Sequence, residues 1–315
     1  MPSISHHILL NASSGAALKT GVRPEQIVQR FLDSGYTVSI DADTSRPFAQ
    51  RLQTARTSPA AVLVAAGGDG TATALAQVAV ETGRALAVLP LGTANLLGRD
   101  LGLPLSLDDW FSQLPLMTPR QIDVGEVNAR IFLHKVVIGA VPGIAAMREQ
   151  IRGETALGAT LAFLSHAIRR LSRLRRFAVE ISNGGEHPHI ERVQSIAVAN
   201  NDYDEGPGKI FSRSRLDAGT LSLYLIRHLS LGDALRLALR MLVGTWKADD
   251  VVEVENVRAV VMRTRQRRLR AMVDGEVEFL TTPLRFQVRP LALTVLAPPP
   301  AVAEVPEAAA AAEGV

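Results

Sequence analysis

A chain of 315 residues is long for one domain and comfortable for two, and a hydrophobic content of 47% supplies sizeable cores and excludes general disorder. The absence of cysteine excludes disulfides and thiolate metal sites and suits a reducing, cytoplasmic setting. A formal charge of +3 hides two basic clusters, Arg169, Arg170, Arg173, Arg175, Arg176 and Arg263, Arg265, Arg267, Arg268, Arg270, which either form a solvated surface or meet an anionic partner.

Met1 to Leu10 lacks the basic-then-apolar build of a signal peptide. No apolar run approaches the ~20 residues of a membrane-spanning helix. Any activity on lipid is therefore expected at the membrane surface. His7 to Leu10 predicts a first strand, Tyr36 to Ile40 a second, Ala61 to Ala66 a third and Ala85 to Leu89 a fourth. Pro24 to Ser34, Phe48 to Thr57 and Thr71 to Thr82 have helical spacing or composition between them. Such alternation predicts a parallel sheet covered by helices, with ligands at the carboxyl ends of its strands.

Beyond about Asp123 strand-like runs follow one another: 130–138, 177–182, 193–199, 221–226, 257–262, 269–273, 284–288 and 293–296. They predict a β-rich second domain. Two helices interrupt it. Leu157, Leu161, Leu164, Ile168, Leu171 and Leu174 form a stripe in the first, and Leu235, Leu239, Leu242 and Trp246 in the second. Both stripes are expected to face the core, with a membrane-facing stripe the alternative. From Pro298 the chain is rich in proline and alanine and reads as a disordered tail, 298–315. His187 and His189 lack nearby partners and read as a surface loop. Aromatics at 4%, with none interleaved among the arginines, argue against nucleic acid.

The most informative segment is Ala65-Ala66-Gly67-Gly68-Asp69-Gly70-Thr71, set between a strand and a helix. Its glycines permit positive φ and close approach of a ligand, and the helix N-terminus offers amides to an anion. Asp69 suits a magnesium ion or an attacking hydroxyl. The alternative is a plain tight turn. Neither a Walker loop nor a GxGxxG fingerprint is present. A second strand–glycine–helix junction, Leu89-Pro90-Leu91-Gly92-Thr93-Ala94-Asn95-Leu96-Leu97, follows the next strand. On spacing, Thr93 and Asn95 are expected to cap its helix, with ligand binding the alternative. Two such junctions on neighbouring strands describe one cleft. Further on, Asp274-Gly275 is a good hairpin turn in its own right.

GGDGT followed by PLGTAN resembles the catalytic domain of the diacylglycerol kinase family, which includes bacterial lipid kinases and sphingosine kinases and is distantly similar to NAD kinases. Asn11 to Gly15, Ile122 to Gly125, Val198 to Asn201 and Asp274-Gly275-Glu276 extend the likeness over roughly residues 6 to 297. The resemblance implies an α/β ATP-binding domain, 1–123, and a β-sandwich lipid-substrate domain, 124–289, with a strand near 290–297 returning to the first. It implies that Gly67, Gly68, Asp69, Gly70, Thr71 and Thr73 cradle ATP with Asn11, Thr44 and Thr93, that Glu276 is the general base, and that Asp69 and Asp123 face Mg²⁺. It further implies a membrane-lipid acceptor such as diacylglycerol, met at the inner face of the membrane, and leaves a homodimer open. Alternatives are another lipid, a soluble alcohol, or a peripheral membrane protein with impaired catalysis. Three positions depart from the pattern. Leu96 stands where many bacterial members have Asp, with Asp100 a turn later as a substitute. Ala218 replaces the aspartate of a segment, Arg215 to Thr220, that holds a structural metal in some members, which argues against that metal here. Thr73 stands where Asn is usual.

Overall fold

The structure, a computed structural model, describes residues 5–11, 23–139, 176–183, 188–207, 209 and 212–299. The helix expected over 156–176 lies outside those residues except for Arg176, as do the first four arginines of the first cluster, His187 and the tail beyond 299.

Strands β1 (Ser5–Leu10), β2 (Thr37–Asp41), β3 (Val62–Gly67) and β4 (Ala85–Pro90) are parallel in the order β2-β1-β3-β4. Leu9 stands opposite Asp41, Leu10 opposite Ala66, and Gly67 opposite Pro90, so all four strands end at one level. Helices α1 (Pro24–Asp33), α2 (Phe48–Thr57), α3 (Asp69–Thr82), α4 (Leu96–Asp100) and α5 (Leu107–Gln113) connect and flank them. Helix α1 starts with proline and an acidic first turn, carries Arg30 in its last turn, and buries Ile27 and Phe31. Helix α3 lies close on the sheet because its inward residues Ala72, Ala76 and Ala79 are small, and it stops at Gly83, whose φ of +66° suits glycine. Arg51, buried in α2, donates to the Asp41 carboxylate (2.9 Å) and to the Leu10 carbonyl (2.6 Å), which fixes the carboxyl ends of β1 and β2 together.

Beyond this half come β5 (Thr118–Val127), β6 (Arg130–Phe132), β7 (Lys135–Gly139), β8 (Phe177–Ser182), β9 (His189–Val193), β10 (Ser195–Asn200), β11 (Leu221–Ile226), β12 (Val252–Val257), β13 (Ala259–Arg263), β14 (Arg268–Val273), β15 (Glu276–Thr281) and β16 (Leu284–Ala297). The two runs expected at 284–288 and 293–296 are one long strand with a register shift between Arg289 and Leu293. Its final part lies parallel to β4, Val295 opposite Leu86, and its first part pairs with β13. One sheet therefore runs β2-β1-β3-β4-β16-β13-β8-β9 across both halves. A second sheet, β12-β11-β10-β7-β14-β15, faces its outer part. Val179, Ile181, Met262 and Phe286 from the first meet Ile196, Val198, Leu223 and Ala271 from the second in a shared core. The single expected strand 130–138 is broken at Leu133-His134, and His189 belongs to a strand rather than a loop.

Helix α6 (Leu231–Val243) corrects one expectation. It carries a Ser230–Asp233 capping box and ends on Gly244 at φ +83°. Leu235, Leu239 and Leu242 do not face the core: they are 65%, 57% and 62% exposed. Leu237 and Met241 face inward instead, onto a cluster of Tyr203, Tyr224, Trp246 and Val252. Arg236, paired with buried Asp249 at 2.9 Å, holds the helix in that rotation. Trp246 alone of the stripe is buried.

Candidate active site

The strand order 2-1-3-4 makes the gap between β1 and β3 a topological switch point, where loops leave in opposite directions. The loops from those strands touch there. Asn11 N–H donates to the Ala66 carbonyl (2.8 Å), and its side-chain amide donates to the Thr71 hydroxyl (3.2 Å). Gly68 is the N-cap of the 14-residue helix α3 and has no side chain to occupy the first-turn amides, so the positive end of the helix stays open to an anion.

The glycines of this turn serve close approach rather than positive φ. Gly67, Gly68 and Gly70 are not among the residues with φ above zero, and Gly68 has φ −91°. A Cβ on Gly67 would come within 2.7 Å of Thr71 Oγ1, and one on Gly92 within 2.4 Å of Gly68 Cα. The two glycine turns are thus packed backbone to backbone. Leu91 N–H donates to the Gly67 carbonyl (3.0 Å) across the same contact.

Glu276 closes the site from the other half. It begins β15, after a turn in which Asp274 (φ +46°) and Gly275 (φ +97°) both take the left-handed region that suits an Asp-Gly hairpin. A Cβ on Gly70 would stand 3.4 Å from Glu276 Oε1, so the carboxylate lies directly over the first glycine turn. Glu276 is exposed and has no hydrogen bond among the described residues. Gly70, Thr73, Asp274 and Glu276 line one cavity of about 200 Å³.

Asp274 performs a different task. Its Oδ1 accepts the His134 and Lys135 amides (2.8 and 2.9 Å), and its Oδ2 accepts the Leu133 amide and the Thr73 hydroxyl (2.6 and 2.9 Å). The break between β6 and β7 is what frees those amides. Thr73, expected at the nucleotide, has spent its only donor on this clasp and ties α3 to the Glu276 hairpin.

The model of the diacylglycerol kinase catalytic domain matches residues 5–127, and that of the YegS C-terminal NAD kinase beta sandwich-like domain matches 140–297. The chain belongs to the diacylglycerol kinase catalytic-domain family. A Pseudomonas syringae pv. syringae protein named "Probable lipid kinase YegS-like" is 28% identical over 238 residues, 75% of each chain. A Bacillus subtilis diacylglycerol kinase is 26% identical over 257 residues, 80% of this chain and 83% of its own. The crystal structure of a diacylglycerol kinase from Bacillus anthracis str. Sterne shares the fold, with a TM-score of 0.65 at 16% identity over 96% of this chain and all of the other. Membership makes the chain an ATP-dependent kinase.

In the kinase, Asp69 caps the neighbouring helix. Its Oδ1 accepts the Leu96 amide at 2.6 Å, a role expected of Thr93 or Asn95. Asn95 instead stitches its own loop, accepting the Gly92 amide (2.8 Å) and donating to the Pro90 and Gly92 carbonyls. Thr93 is exposed on that loop, and Thr44 is exposed in the turn after β2, both at the carboxyl edge of the sheet. Burial raises the Asp69 carboxyl above the ordinary carboxylate value, against the pull of the Leu96 amide and His134, and the Asp274 charge adds to the rise. Folding therefore raises the proton affinity of Asp69, and the stability linked to that rise is present at low pH and lost as pH rises through the raised value. Asp69→Asn is expected to match the native protein in thermal stability below about pH 4 and to exceed it at neutral pH, while losing turnover. Melting curves across pH test this.

Asp123 was expected beside magnesium. It is 1% exposed, and its oxygens accept the Gly219 and Leu291 amides (2.6 and 2.8 Å). Leu291 has φ +51° at the irregularity of β16, so Asp123 braces the crossing between the halves. Each of its carboxylate oxygens is thus engaged by a backbone amide.

Asp100, the expected substitute at Leu96, is committed elsewhere. Arg213 donates to it twice through its side chain (3.0 and 2.6 Å) and once through its amide (3.1 Å), and His134 Nε2 lies 3.1 Å away. Burial alone would raise its carboxyl, but the His134 hydrogen bond and the Arg213 charge outweigh it and lower it. Arg213 also donates to the Leu133 and Asn200 carbonyls, both at 2.7 Å. Burial lowers the His134 imidazole and brings the Lys135 ammonium down to about 8. Arg213→Met would strand a buried carboxylate and is expected to cost about 3–5 kcal/mol, with part recovered in Arg213→Met/Asp100→Asn. Urea denaturation of the three proteins measures it. Sequence reading missed Arg213 and His134 because neither belongs to a motif.

Near Arg215 to Thr220, Asp217 is exposed and faces Arg215 at 3.8 Å, and the Ala218 amide donates to Asn201 (3.1 Å). Among the described residues no group of three acidic or imidazole side chains is placed to hold a metal by itself.

Proposed function

We propose that this chain transfers the γ-phosphoryl group of ATP to the hydroxyl of a membrane lipid, with diacylglycerol the first acceptor to test. The observation that carries the reading is Glu276 Oε1 held over Gly70, an unpaired carboxylate facing a glycine turn at a helix N-terminus. The phosphates of ATP fit the open amides of α3 and the crevice between Asn11, Gly67, Gly68, Gly70 and Thr71, with Thr44 and Thr93 on its rim. The lipid hydroxyl gives its proton to Glu276 as its oxygen bonds to the γ-phosphorus, while the bond from that phosphorus to the ADP oxygen breaks.

Magnesium fits this site as an ion shared with the nucleotide, because such ions are commonly held by one or two carboxylates plus phosphate oxygens. Asp69 would hold it. When bound, the ion supplies charge neutralisation on the phosphates. The part before Asp123 and the last strand near 290–297 form the ATP side, and 124–289 receives the lipid. No helix among the described residues is long and apolar enough to cross a membrane, which fits action from the inner bilayer face.

The test is product separation from labelled ATP with diacylglycerol, sphingoid bases, ceramide and glycerophospholipids in mixed micelles, beside soluble alcohols including NAD. Transfer to a lipid supports the proposal. Transfer only to a soluble alcohol overturns it.

A further inference from the structure

A larger cavity, about 990 Å³, lies at the seam between the two sheets. Among the described residues its wall carries Arg176, Arg192, Arg263, Arg265 and Arg270 against a single acid, Glu180. The topology gathers these arginines from five places, Arg176 standing just before β8. Arg192 pairs with Ala178 across β8 and β9, Arg263 pairs with Glu180 across β13 and β8, Arg270 stands on β14, and Arg265 lies in the turn joining β13 to β14. Glu180 is already matched, since Arg263 donates to it at 2.9 Å. The guanidiniums of Arg176, Arg192, Arg265 and Arg270 have no ion pair or hydrogen bond among the described residues. Between the guanidiniums the wall is apolar, formed by Ile138, Phe177 and Leu269, with 70%-exposed Ile190 beside them.

We propose that this groove seats the phosphate head group of an anionic phospholipid at the bilayer surface, a lipid other than the acceptor. Unmatched guanidiniums bind phosphate oxygens in bidentate fashion, and the apolar strip between them matches the glycerol and first methylenes of a lipid. Among the described residues Phe177 is the one aromatic side chain in the lining, which offers no stacking platform for nucleic acid bases. The groove shares no lining residue with the cavity under Glu276. Strand β14 separates them: Val273 borders one and Arg270 the other, three residues or about 10 Å along the strand. A phosphate held by Arg270 and Arg265 is thus too remote for its own lipid's hydroxyl oxygen to be the atom at Glu276 by default, and the groove acts as an anchor. The proposal rests on the lipid-kinase reading for the presence of a bilayer.

The experiment is co-sedimentation of the full chain with vesicles of phosphatidylcholine alone or phosphatidylcholine containing phosphatidylserine, for the native protein, Arg265→Glu/Arg270→Glu and Arg265→Gln/Arg270→Gln. Both residues are exposed, and circular dichroism checks that each variant folds. One basic residue near an anionic leaflet is worth about five-fold in binding. The glutamate pair is therefore expected to weaken binding to phosphatidylserine vesicles by at least twenty-fold or so, the glutamine pair by less. Turnover of a lipid acceptor in neutral detergent micelles should be unchanged in both. Equal binding of native and glutamate proteins to anionic vesicles overturns the proposal, as does native binding that ignores phosphatidylserine. Competition by inorganic phosphate that abolishes binding in low millimolar amounts, or retention of an oligonucleotide lost in the glutamate pair, would assign the groove to another ligand and overturn it as well. Loss of vesicle binding in the variant, with no lipid phosphorylated by any form, keeps the groove and sinks the kinase reading instead.

Discussion

Glu276→Gln is expected to lower turnover by roughly 10²–10⁴ while leaving ATP affinity within a few-fold of native. The amide keeps the shape of the side chain over Gly70 and loses the ability to take a proton from the acceptor hydroxyl. Because the native carboxylate makes no hydrogen bond among the described residues, the substitution strands no partner and should not disturb the fold. Stability should therefore be native within about 0.5 kcal/mol. Steady-state kinetics with the accepted lipid, together with nucleotide binding by calorimetry, separate the two effects. Native turnover in this variant would remove Glu276 from the reaction.

Asp274→Ala, two residues away, should do the reverse to the fold. It leaves the Leu133, His134 and Lys135 amides and the Thr73 hydroxyl without an acceptor in a buried place. One unsatisfied buried donor costs about 1–3 kcal/mol, so four together are expected to cost about 4 kcal/mol or more even after partial rehydration. That is a large share of the roughly 5–15 kcal/mol that keeps a domain folded. Asp274→Asn should cost less, because its remaining oxygen still serves two amides and the threonine hydroxyl rotates. Thermal melts should rank native above Asn above Ala. The activity of the Ala variant should fall as well, since the Thr73–Asp274 bond is what fixes the Glu276 hairpin against α3. Equal melting points for all three would show that these amides find other partners.

The two variants also separate what was legible in the sequence from what was not. GGDGT, PLGTAN and DGE were readable because each is a short run whose members act through their own backbone: a turn, a helix start, a hairpin. The parallel strands before residue 91 were readable for a similar reason, since uniformly apolar runs alternating with helices announce a sheet covered on both faces. Strands β5, β9, β12 and β15 were not anticipated, because half-exposed strands such as Thr118–Val127, His189–Val193 and Glu276–Thr281 mix charged and apolar residues. The helical stripe of Leu235, Leu239 and Leu242 misled because periodicity shows that a helix has two faces and says nothing about which one finds a neighbour.

What the sequence by itself determined was the fold class, the two glycine turns and the acidic hairpin, all properties carried by neighbouring residues. Only the tertiary structure decided the partners of the carboxylates. Asp69 meets Leu96, Asp123 meets Gly219 and Leu291, Asp100 meets Arg213, and Asp274 meets Thr73, at separations in sequence from 27 to 201 residues. A charged side chain takes whichever donor the packed strands bring within about 3 Å, and that distance is set by sheet order and register, which no local pattern encodes.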